Sequence, residues 1–216
     1  MRGKNLKKIS TFTELIYKEI KKSILDGKLK SCQRIKVREI AKKFNASITP
    51  VREAIQRLAA EDFLTINARS EVRVASTSFE EIREKLELIR VLDRYELERT
   101  LPDFLPEVLD ELKEMTQVLG KYYKSKNIRE FCRQSVKIHN RIWQTYENKA
   151  ISQILGHACE RVSILENRNL NHFYTPKVFY KSYCHHCELL AALEKKDLEK
   201  ATQVLNSHFS EDYLKE

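Results

Sequence analysis

The sequence predicts a mainly α-helical protein, with an N-terminal winged helix-turn-helix followed by a C-terminal all-helical antiparallel bundle. Three observations predict this fold class. Four Gly and four Pro among 216 residues are too few turn formers for a large β protein. Apolar residues recur every three or four positions through most of the chain. The first 75 residues carry 18 Lys and Arg against 8 Asp and Glu, whereas the remainder carries 22 against 23, so a basic domain precedes a neutral one.

Three helices are predicted in the basic third of the chain. Gly27 ends the first helix, and the segment 28–35 that follows it is interpreted as irregular. Ser47 is the predicted N-cap of the third helix, and Pro50 is tolerated because it lies in the first turn. The three predicted helices span residues 11–26, Val37–Phe44 and Ile48–Ala60.

A short β-hairpin is predicted after the third helix, because two β-type runs (63–66 and 72–74) flank the polar segment NARSE. Three helices and a hairpin make a winged helix-turn-helix. The predicted organisation is a basic tail (1–10), the winged helix-turn-helix (11–75), a linker (76–78) and a helical domain (79–216).

The second part of the chain reads as helices throughout, with no strand pattern. Ser78 and Glu81 form a capping-box pattern at the first of them. The predicted helices span residues 79–100, 106–124, 127–146, 149–168, 177–195 and 197–214.

The sequence also predicts the cellular compartment of the protein and the redox state of its cysteines. The chain has no apolar run of about 18 residues and no secretory signal, so no membrane association and a cytoplasmic location are expected. Five Cys, an odd number, are interpreted as reduced thiols. Cys184 and Cys187 are interpreted as small half-buried residues of one helix, since no second Cys-x-x-Cys completes a zinc site.

A basic helix-turn-helix predicts double-stranded DNA as a partner. The second helix of such a motif enters the major groove with its N-terminal residues, which here include Ser47, Thr49 and Arg52. Arg52 has the geometry for a bidentate pair with guanine, and Lys36 and Arg38 open the preceding helix, where basic groups bind phosphates. Two further arginines, Arg69 and Arg73, flank the hairpin tip and suit a backbone or minor-groove contact.

The run VREIAKKFNASITPVREAIQRLAAEDFLTINARSEVRV resembles the DNA-binding domain of the GntR family of bacterial regulators, whose recognition helix carries Ser-x-Thr-Pro-Val-Arg-Glu-Ala. The match covers about residues 14–75. The resemblance implies DNA contacts at Arg38, Ser47, Ile48, Thr49 and Arg52.

The sequence departs from that pattern at three places. Ile48 stands where the family usually has Arg, and an isoleucine reads only a thymine methyl. The segment Arg69-Ser70-Glu71 lacks the usual glycine of the wing, and Cys32 occupies a turn position where glycine is common. These departures bear on the operator sequence and the affinity, not on the fold.

Three histidines of the helical part have suggestive positions. His186 and His208 lie on consecutive helices joined by a short turn, so antiparallel packing can bring both imidazoles to one interior point. His139 lies on an earlier helix. Imidazoles that converge inside a bundle suit a divalent transition metal, although a helical histidine is more often structural.

The helical part resembles the FCD ligand-binding domain of one GntR branch, through IHNRIW and HCELLAALEKKDLEKATQVLNSHF. In that domain a metal is held by an Asp, a His four residues later and two further His. Carried over by position, the ligands are His139, His186 and His208, with Ser135 at the Asp position. The resemblance implies a three-histidine site for zinc or nickel. The alternative is a metal-free pocket that binds an organic acid directly.

The expected function is that of a ligand-responsive regulator, not an enzyme. A homodimer is expected to bind a near-palindromic operator, with repression as the commoner outcome, and a small carboxylate metabolite is expected to modulate DNA affinity. Three alternatives stay open: a regulator that senses the metal ion itself, a metal-dependent hydrolase, and a regulator that has lost sensing. Against the hydrolase, no carboxylate adjoins the histidines in the sequence to act as a general base.

Overall fold

The computed structural model describes residues 12–68, 70–168 and 175–210, with the side chains of 165–168 left out. Its internal contacts divide the chain into two compact units, Met1–Ser76 and Thr77–Glu216. The predicted basic tail (1–10) lies outside the described residues. Among the helices that are described, none is long and apolar enough to cross a membrane.

The first unit is a winged helix-turn-helix, as predicted. Its elements are α1 (Phe12–Leu25), β1 (Arg34–Ile35), α2 (Val37–Lys43), α3 (Ile48–Ala60), β2 (Leu64–Ile66) and β3 (Val72–Val74). The strands form one antiparallel sheet in which β3 lies between β1 and β2.

Strand β1 corrects the interpretation of residues 28–35 as wholly irregular. Arg34 pairs with Arg73, and Ile35 pairs with Val72. A strand of two residues is too short to show the alternation that identifies a strand in a sequence. The wing is therefore a three-stranded sheet, not a simple hairpin.

The core of the first unit lies between α1 and α3. One face of each helix is buried because its apolar residues recur at helical spacing, and burying each large side chain contributes about 1.5–3 kcal/mol. The buried residues of these two helices include Ile16, Ile20, Ile24, Val51, Ala54, Ile55 and Leu58. This packing fixes which side chains of α3 point outward.

Cys32 adopts a left-handed backbone conformation with φ of 61°. Its N–H donates to the carbonyl of Val74 at 2.9 Å, which ties the turn to β3. Glycine reaches this conformation without a steric cost, whereas a β-carbon makes it unfavourable. The expectation that glycine suits this position thus has a conformational basis.

The second unit is all helical within its described residues, in agreement with the predicted bundle. It contains α4 (Phe79–Thr100), a 3-10 turn (Leu101–Asp103), α5 (Pro106–Lys124), α6 (Ile128–Trp143), α7 (Lys149–Arg168), α8 (Pro176–Glu194) and α9 (Leu198–His208).

Two helices end earlier than the sequence predicts. Helix α6 ends at Trp143, because the N–H groups of Thr145 and Tyr146 donate three residues back and form a tight turn. Tyr146 is fully buried, so apolar periodicity continues past the helix end and hides it. Helix α9 ends at His208, and the predicted extension to residue 214 includes residues 211–214, which are not described.

The capping box predicted at the start of α4 is only half formed. The Ser78 hydroxyl accepts the N–H of Glu81 at 3.1 Å. The Glu81 carboxylate does not return to the backbone but accepts two hydrogen bonds from Arg161 on α7, at 2.7 and 2.9 Å. The residue thus joins α4 to α7.

Two turns of the same design close the hairpins α5–α6 and α8–α9. Lys126 and Lys196 have a left-handed backbone conformation, with φ of 54° and 53°. In each turn the N–H of this lysine and the N–H of the next residue donate to backbone carbonyls of the preceding helix. This is the Schellman arrangement. The side chains of Asn127 and Asp197 then cap the following helices. Such short turns make each helix pair antiparallel neighbours.

Candidate nucleic-acid interface and metal centre

The N-terminal residues of α3 form an exposed polar stretch. Ser47, Thr49 and Arg52 are all exposed, and Ile48 is 41% exposed. Ser47 occupies the predicted N-cap position, but its hydroxyl caps no N–H group, and the first turn contains no acidic residue. The backbone N–H groups at this helix end are therefore compatible with an anionic partner.

The two basic residues at the start of α2 differ in their surroundings. Lys36 forms an exposed ion pair with Glu39, with 2.7 Å between Nζ and Oε1. Arg38 is exposed and makes no hydrogen bond or ion pair with any described residue. A phosphate contact would therefore break no existing contact of Arg38, whereas at Lys36 it would compete with the ion pair to Glu39.

The wing holds its arginines in an ion-pair network. Arg73 donates to the carbonyl of Cys32 at 2.9 Å and to Glu71 at 3.0 Å. Arg34 reaches the same Glu71 oxygen at 3.2 Å. Sequence reasoning missed Arg34, because only the pairing of β1 with β3 sets it opposite Arg73. Arg69, which was also predicted to contact DNA, lies outside the described residues.

Three histidines from three helices converge inside the second unit. His139 lies on α6, His186 on α8, and His208 ends α9. One ring nitrogen from each lies within 4.8 Å of the others, and their ring centroids are 4.6 to 5.1 Å apart. These three residues are called the histidine cluster below.

Ser135 lies against the histidine cluster and contacts His186, whose tautomer the Ser182 carbonyl fixes. Nδ1 of His186 is 2.8 Å from the carbonyl oxygen of Ser182, so Nδ1 carries the proton and donates. Nε2 then accepts a hydrogen bond from the Ser135 hydroxyl at 2.9 Å. Nε2 is therefore the ring nitrogen of His186 that carries a lone pair, and a metal ion would replace the Ser135 hydroxyl as its partner.

His139 is the residue that most needs a further partner. It is 2% exposed, and neither of its ring nitrogens has a hydrogen-bond partner among the described residues. An unpaired buried polar atom costs about 1–3 kcal/mol. Nitrogen ligands from three histidines fit zinc or nickel, which take imidazole readily. The donor set therefore fits the implied metal.

Burial keeps the histidine cluster uncharged near neutral pH. It lowers the pKa of His186 to about 4, and it lowers the pKa of His139 and of His208 well below the ordinary value of 6.5. Desolvation is the main cause in each case, and neighbouring histidines add to it. Only the neutral imidazole binds a metal ion, so this environment favours the ligating form.

Sequence reasoning missed the residues that surround His139. The Trp143 ring stacks on His139 with 5.7 Å between centroids, and its Nε1 donates to Asp93 at 2.9 Å. Phe209 packs 4.8 Å from His139. Asp93 is 1% exposed, although aspartate side chains are almost never fully buried unless they are paired. Only the three-dimensional packing of α4 against α6 and α7 reveals this carboxylate.

Of the other histidine and the two cysteines of α8, His185 lies beside the cluster. His185 is 8% exposed, and its ring centroid is 5.7 Å from that of His208. Cys184 and Cys187 are half-buried free thiols one turn apart. Their burial agrees with their interpretation as small half-buried residues.

Two family models match nearly the whole chain. The model of bacterial regulatory proteins of the gntR family matches residues 12–74, and the FCD domain model matches residues 84–211. The two matches coincide with the winged helix-turn-helix and the helical unit.

Two curated relatives come from Bacillus subtilis. The HTH-type transcriptional regulator YdhC is 22% identical over 197 residues, covering 91% of this chain and 87% of the relative. The gluconate operon transcriptional repressor is 25% identical over 213 residues, covering 97% of this chain and 86% of the relative.

Solved structures share the fold. Escherichia coli McbR/YncC has a TM-score of 0.83 at 19% identity, covering 95% of this chain and 97% of that one. A GntR regulator from Rhodococcus sp. RHA1 has a TM-score of 0.79 at 17% identity, covering 94% of this chain and 96% of that one. With both family models matched in order along one chain, the protein belongs to the GntR family of transcription regulators, in the branch that carries an FCD domain.

Proposed function

We propose that the protein binds a near-palindromic operator as a homodimer and acts as a repressor. A small carboxylate metabolite and a divalent metal, both in the helical unit, modulate its DNA affinity. Two observations carry the proposal: the uncapped, exposed N-terminus of α3, and the unpaired nitrogens of His139 within the histidine cluster.

Arg52 is assigned the base contact in this proposal. It is exposed one turn into α3, and it makes no hydrogen bond or ion pair with a described residue. A bidentate Arg–guanine pair discriminates against the wrong base by about 1–3 kcal/mol. Ser47 and Thr49 are assigned phosphate or base contacts, Ile48 a thymine methyl, and Arg38 a phosphate. Lys36, Arg69 and Arg73 are assigned backbone contacts.

Selection of bound sequences from a random duplex library tests the DNA assignment. A motif of two half-sites, enriched by the native protein and lost with Arg52→Ala, is the expected result, because a dimer presents two recognition helices. Sequence-blind binding that only responds to salt would overturn the assignment. Regulation of a reporter gene placed behind the selected operator then distinguishes repression from activation.

The histidine cluster is assigned the metal and the effector carboxylate. His139, His186 and His208 would hold the ion. The Ser182 carbonyl would orient His186 through Nδ1, and Nε2 would exchange the Ser135 hydroxyl for the ion. When bound, the ion supplies a positive charge that attracts a carboxylate oxygen. The gluconate operon repressor of Bacillus subtilis, whose name refers to an organic acid, supports a carboxylate effector.

The effector acts through linkage between two sites. It changes DNA binding only if it binds the DNA-competent and DNA-incompetent states with different affinity. The two nitrogens of His139 supply one source of this difference, since a state that leaves them unpaired is disfavoured.

Metal analysis of the purified protein tests the metal assignment. We expect about one zinc or nickel ion per chain in the native protein and much less in His186→Ala. The matched control is His157→Ala, which removes an exposed histidine of α7. Equal metal in the native protein and His186→Ala would end the assignment.

A regulator that senses the metal ion itself is the second candidate. The three neutral, convergent imidazoles favour it, because such a site binds a metal without an organic ligand. The operator found by selection separates the two candidates. If zinc or nickel alone changes operator affinity and carboxylates add nothing, the ion is the effector.

A further inference from the structure

Two arginines of the wing converge on one carboxylate oxygen. Nε of Arg34 lies 3.2 Å from Oε1 of Glu71, and Nη2 of Arg73 lies 3.0 Å from the same oxygen. Guanidinium groups bind carboxylate and phosphate oxygens with the same N–H donors and in similar geometry. The wing therefore already holds an anionic oxygen between two arginines, and this oxygen comes from its own chain.

The register of the sheet explains why the two arginines meet. Arg34 on β1 lies directly opposite Arg73 on β3, and Thr65 on β2 lies opposite Arg73 from the other side. All three side chains are exposed, whereas those of Ile35 and Val72 are buried. Directly opposed residues of antiparallel strands point to the same face, so the three side chains form a row of hydrogen-bond donors across the outer face of the wing.

Glu71 offsets the repulsion between these arginines. Like charges directly opposite each other on paired strands are destabilising. The turn before β3 holds the carboxylate in place, because Nδ2 of Asn67 donates to its Oε2 at 3.2 Å and the N–H of Glu71 donates to Oδ1 of Asn67 at 2.9 Å. One carboxylate balances only one of the two positive charges, so the arginine pair keeps an excess positive charge that attracts a further anion.

The two arginines differ in how firmly they are held. Arg73 also donates to the carbonyl of Cys32 at 2.9 Å, which anchors its guanidinium group. Glu71 is the single ion-pair partner of Arg34 among the described residues, and the Arg34 side chain is 64% exposed. A guanidinium group carries several N–H donors, so both arginines retain donors for another oxygen. Arg73 supplies a fixed position, and Arg34 is able to adjust to a ligand.

The row continues toward the residues assigned to the DNA backbone. Arg34 and Lys36 are two positions apart in an extended segment, with φ of −96° and ψ of 104° at Lys36, so their side chains point the same way. Both also line one groove beside α1 and α2. Lys36 and Arg38 bind phosphates in the proposed function. A duplex bound at the start of α2 would therefore bring its backbone toward the arginine pair.

We infer that Arg34 and Arg73 together bind one DNA phosphate, and that Glu71 occupies the place of this phosphate in the free protein. The inference rests on the proposed function, in which the first unit binds DNA. It adds Arg34 to the binding residues and gives Glu71 a role. In the complex a phosphate oxygen replaces Oε1 between the two guanidinium groups. The carboxylate stays close by, so its negative charge lowers the affinity for DNA.

Glu71→Gln tests the role of the carboxylate. The amide has nearly the same size but no charge, so the affinity for DNA should rise about tenfold in about 50 mM salt and less in higher salt. Fluorescence anisotropy measures the affinity for the selected operator and for a random duplex. The gain should be similar for both, because a phosphate contact carries no sequence information.

Glu19→Gln is the matched control for this variant. It removes the same charge from another exposed ion pair of the first unit, the pair with Lys43, to which no DNA contact is assigned. Its affinity for DNA should differ from that of the native protein by less than about twofold. A gain as large as that of Glu71→Gln would show a general effect of net charge and would overturn the inference.

Uncharged phosphates locate the contact itself. Methylphosphonate groups are placed in the selected operator one at a time, and each removes one negative charge. We expect one phosphate per half-site whose replacement weakens binding of the native protein about tenfold. The loss at this phosphate should be smaller in Arg34→Ala and in Arg73→Ala alike. Lys36→Ala is the control, and it should retain the full loss there.

The outcomes separate the inference from the proposed function. An unchanged or lower affinity of folded Glu71→Gln, or different phosphates for the two arginines, would overturn the inference alone. Urea denaturation shows whether Glu71→Gln is folded, and if it is not, the phosphate positions of the two arginine variants decide. Sequence-blind binding that still strengthens in Glu71→Gln would overturn the operator assignment and support the inference. Failure of the native protein to bind any duplex would overturn both.

Discussion

The polar groups of the two candidate sites differ in what satisfies them. Arg38 and Arg52 of the DNA-binding unit are exposed, so water hydrates them before any partner arrives. The ring nitrogens of His139 and the Oδ2 of Asp93 are buried in the helical unit without a partner among the described residues. Hydration stabilises the polar groups of the first site, whereas the unpaired atoms of the second lower the stability of the protein unless a partner satisfies them.

This difference predicts how substitutions at each site affect binding and stability. Binding at the exposed site depends on charge and on the release of counterions, so single substitutions give modest, salt-dependent effects. At the buried site each unpaired atom carries a desolvation cost, so substitutions there alter stability as well as binding.

The largest effect is expected from Asp93→Asn, measured as the free energy of unfolding in urea. Burial raises the pKa of Asp93 from 3.8 to about 6, so between these values the folded state holds the proton that the unfolded state has lost. The ionised carboxylate is thus unfavourable at pH 7, by about 3 kcal/mol for a shift of about two pKa units. Asp93→Asn should be more stable by up to that amount at pH 7, with the difference vanishing near pH 4.

An exposed carboxylate provides the matched control for this prediction. Asp103→Asn, in the 3-10 turn, should change stability little at any pH. The buried histidines titrate in the same range but are common to all three proteins, so they cancel in the differences. A constant gain for Asp93→Asn from pH 4 to pH 7 would contradict the assigned pKa.

Ser135→Asp is expected to raise metal affinity by about 10–100-fold, as measured by calorimetric titration. The new carboxylate would lie against Nε2 of His186, where it adds one negative charge beside the ion. Without metal the variant should be less stable than the native protein, because the carboxylate is buried and faces a lone pair. Ser135→Ala removes the hydroxyl without adding charge, and a gain in its affinity as large as that of Ser135→Asp would argue against this explanation.

Arg38→Ala tests the exposed side of the comparison. Loss of one phosphate contact should weaken binding uniformly across DNA sequences and reduce the slope of log affinity against log salt by about 1. Fluorescence anisotropy over a salt series measures both quantities. Lys43→Ala is the control, since Lys43 already pairs with Glu19 at 3.5 Å. Stability should not change in either variant.

The smallest effect is expected at the turn before β1. Cys32→Gly removes the β-carbon at a φ of 61° and should raise the free energy of unfolding by about 0.5–1 kcal/mol. Urea denaturation of the native protein, Cys32→Gly and Cys32→Ala measures the effect. Cys32→Ala keeps the β-carbon, so a similar gain in that variant would show that the thiol, not the backbone, is responsible.

The long helices were predictable because their apolar periodicity extends over several turns, as in α4, α5 and α7. Strand β1 was not, because two residues carry no period, and the end of α6 was hidden by the buried Tyr146. Spacing also suggested that His186 and His208 could approach, since a short turn joins their helices. The position of Asp93 was not predictable, because it depends on which face of α4 packs inward and not on its own charge.

The histidine cluster joins two hairpins that each close through a Schellman turn. His139 belongs to the α5–α6 hairpin, whereas His186 and His208 belong to the α8–α9 hairpin. Local contacts allow each hairpin to form early in folding, but the cluster forms only when the two dock. If the hairpins dock after the folding transition state, a metal bound there would slow unfolding and leave the refolding rate nearly unchanged. Metal supply would then set how long each folded molecule survives.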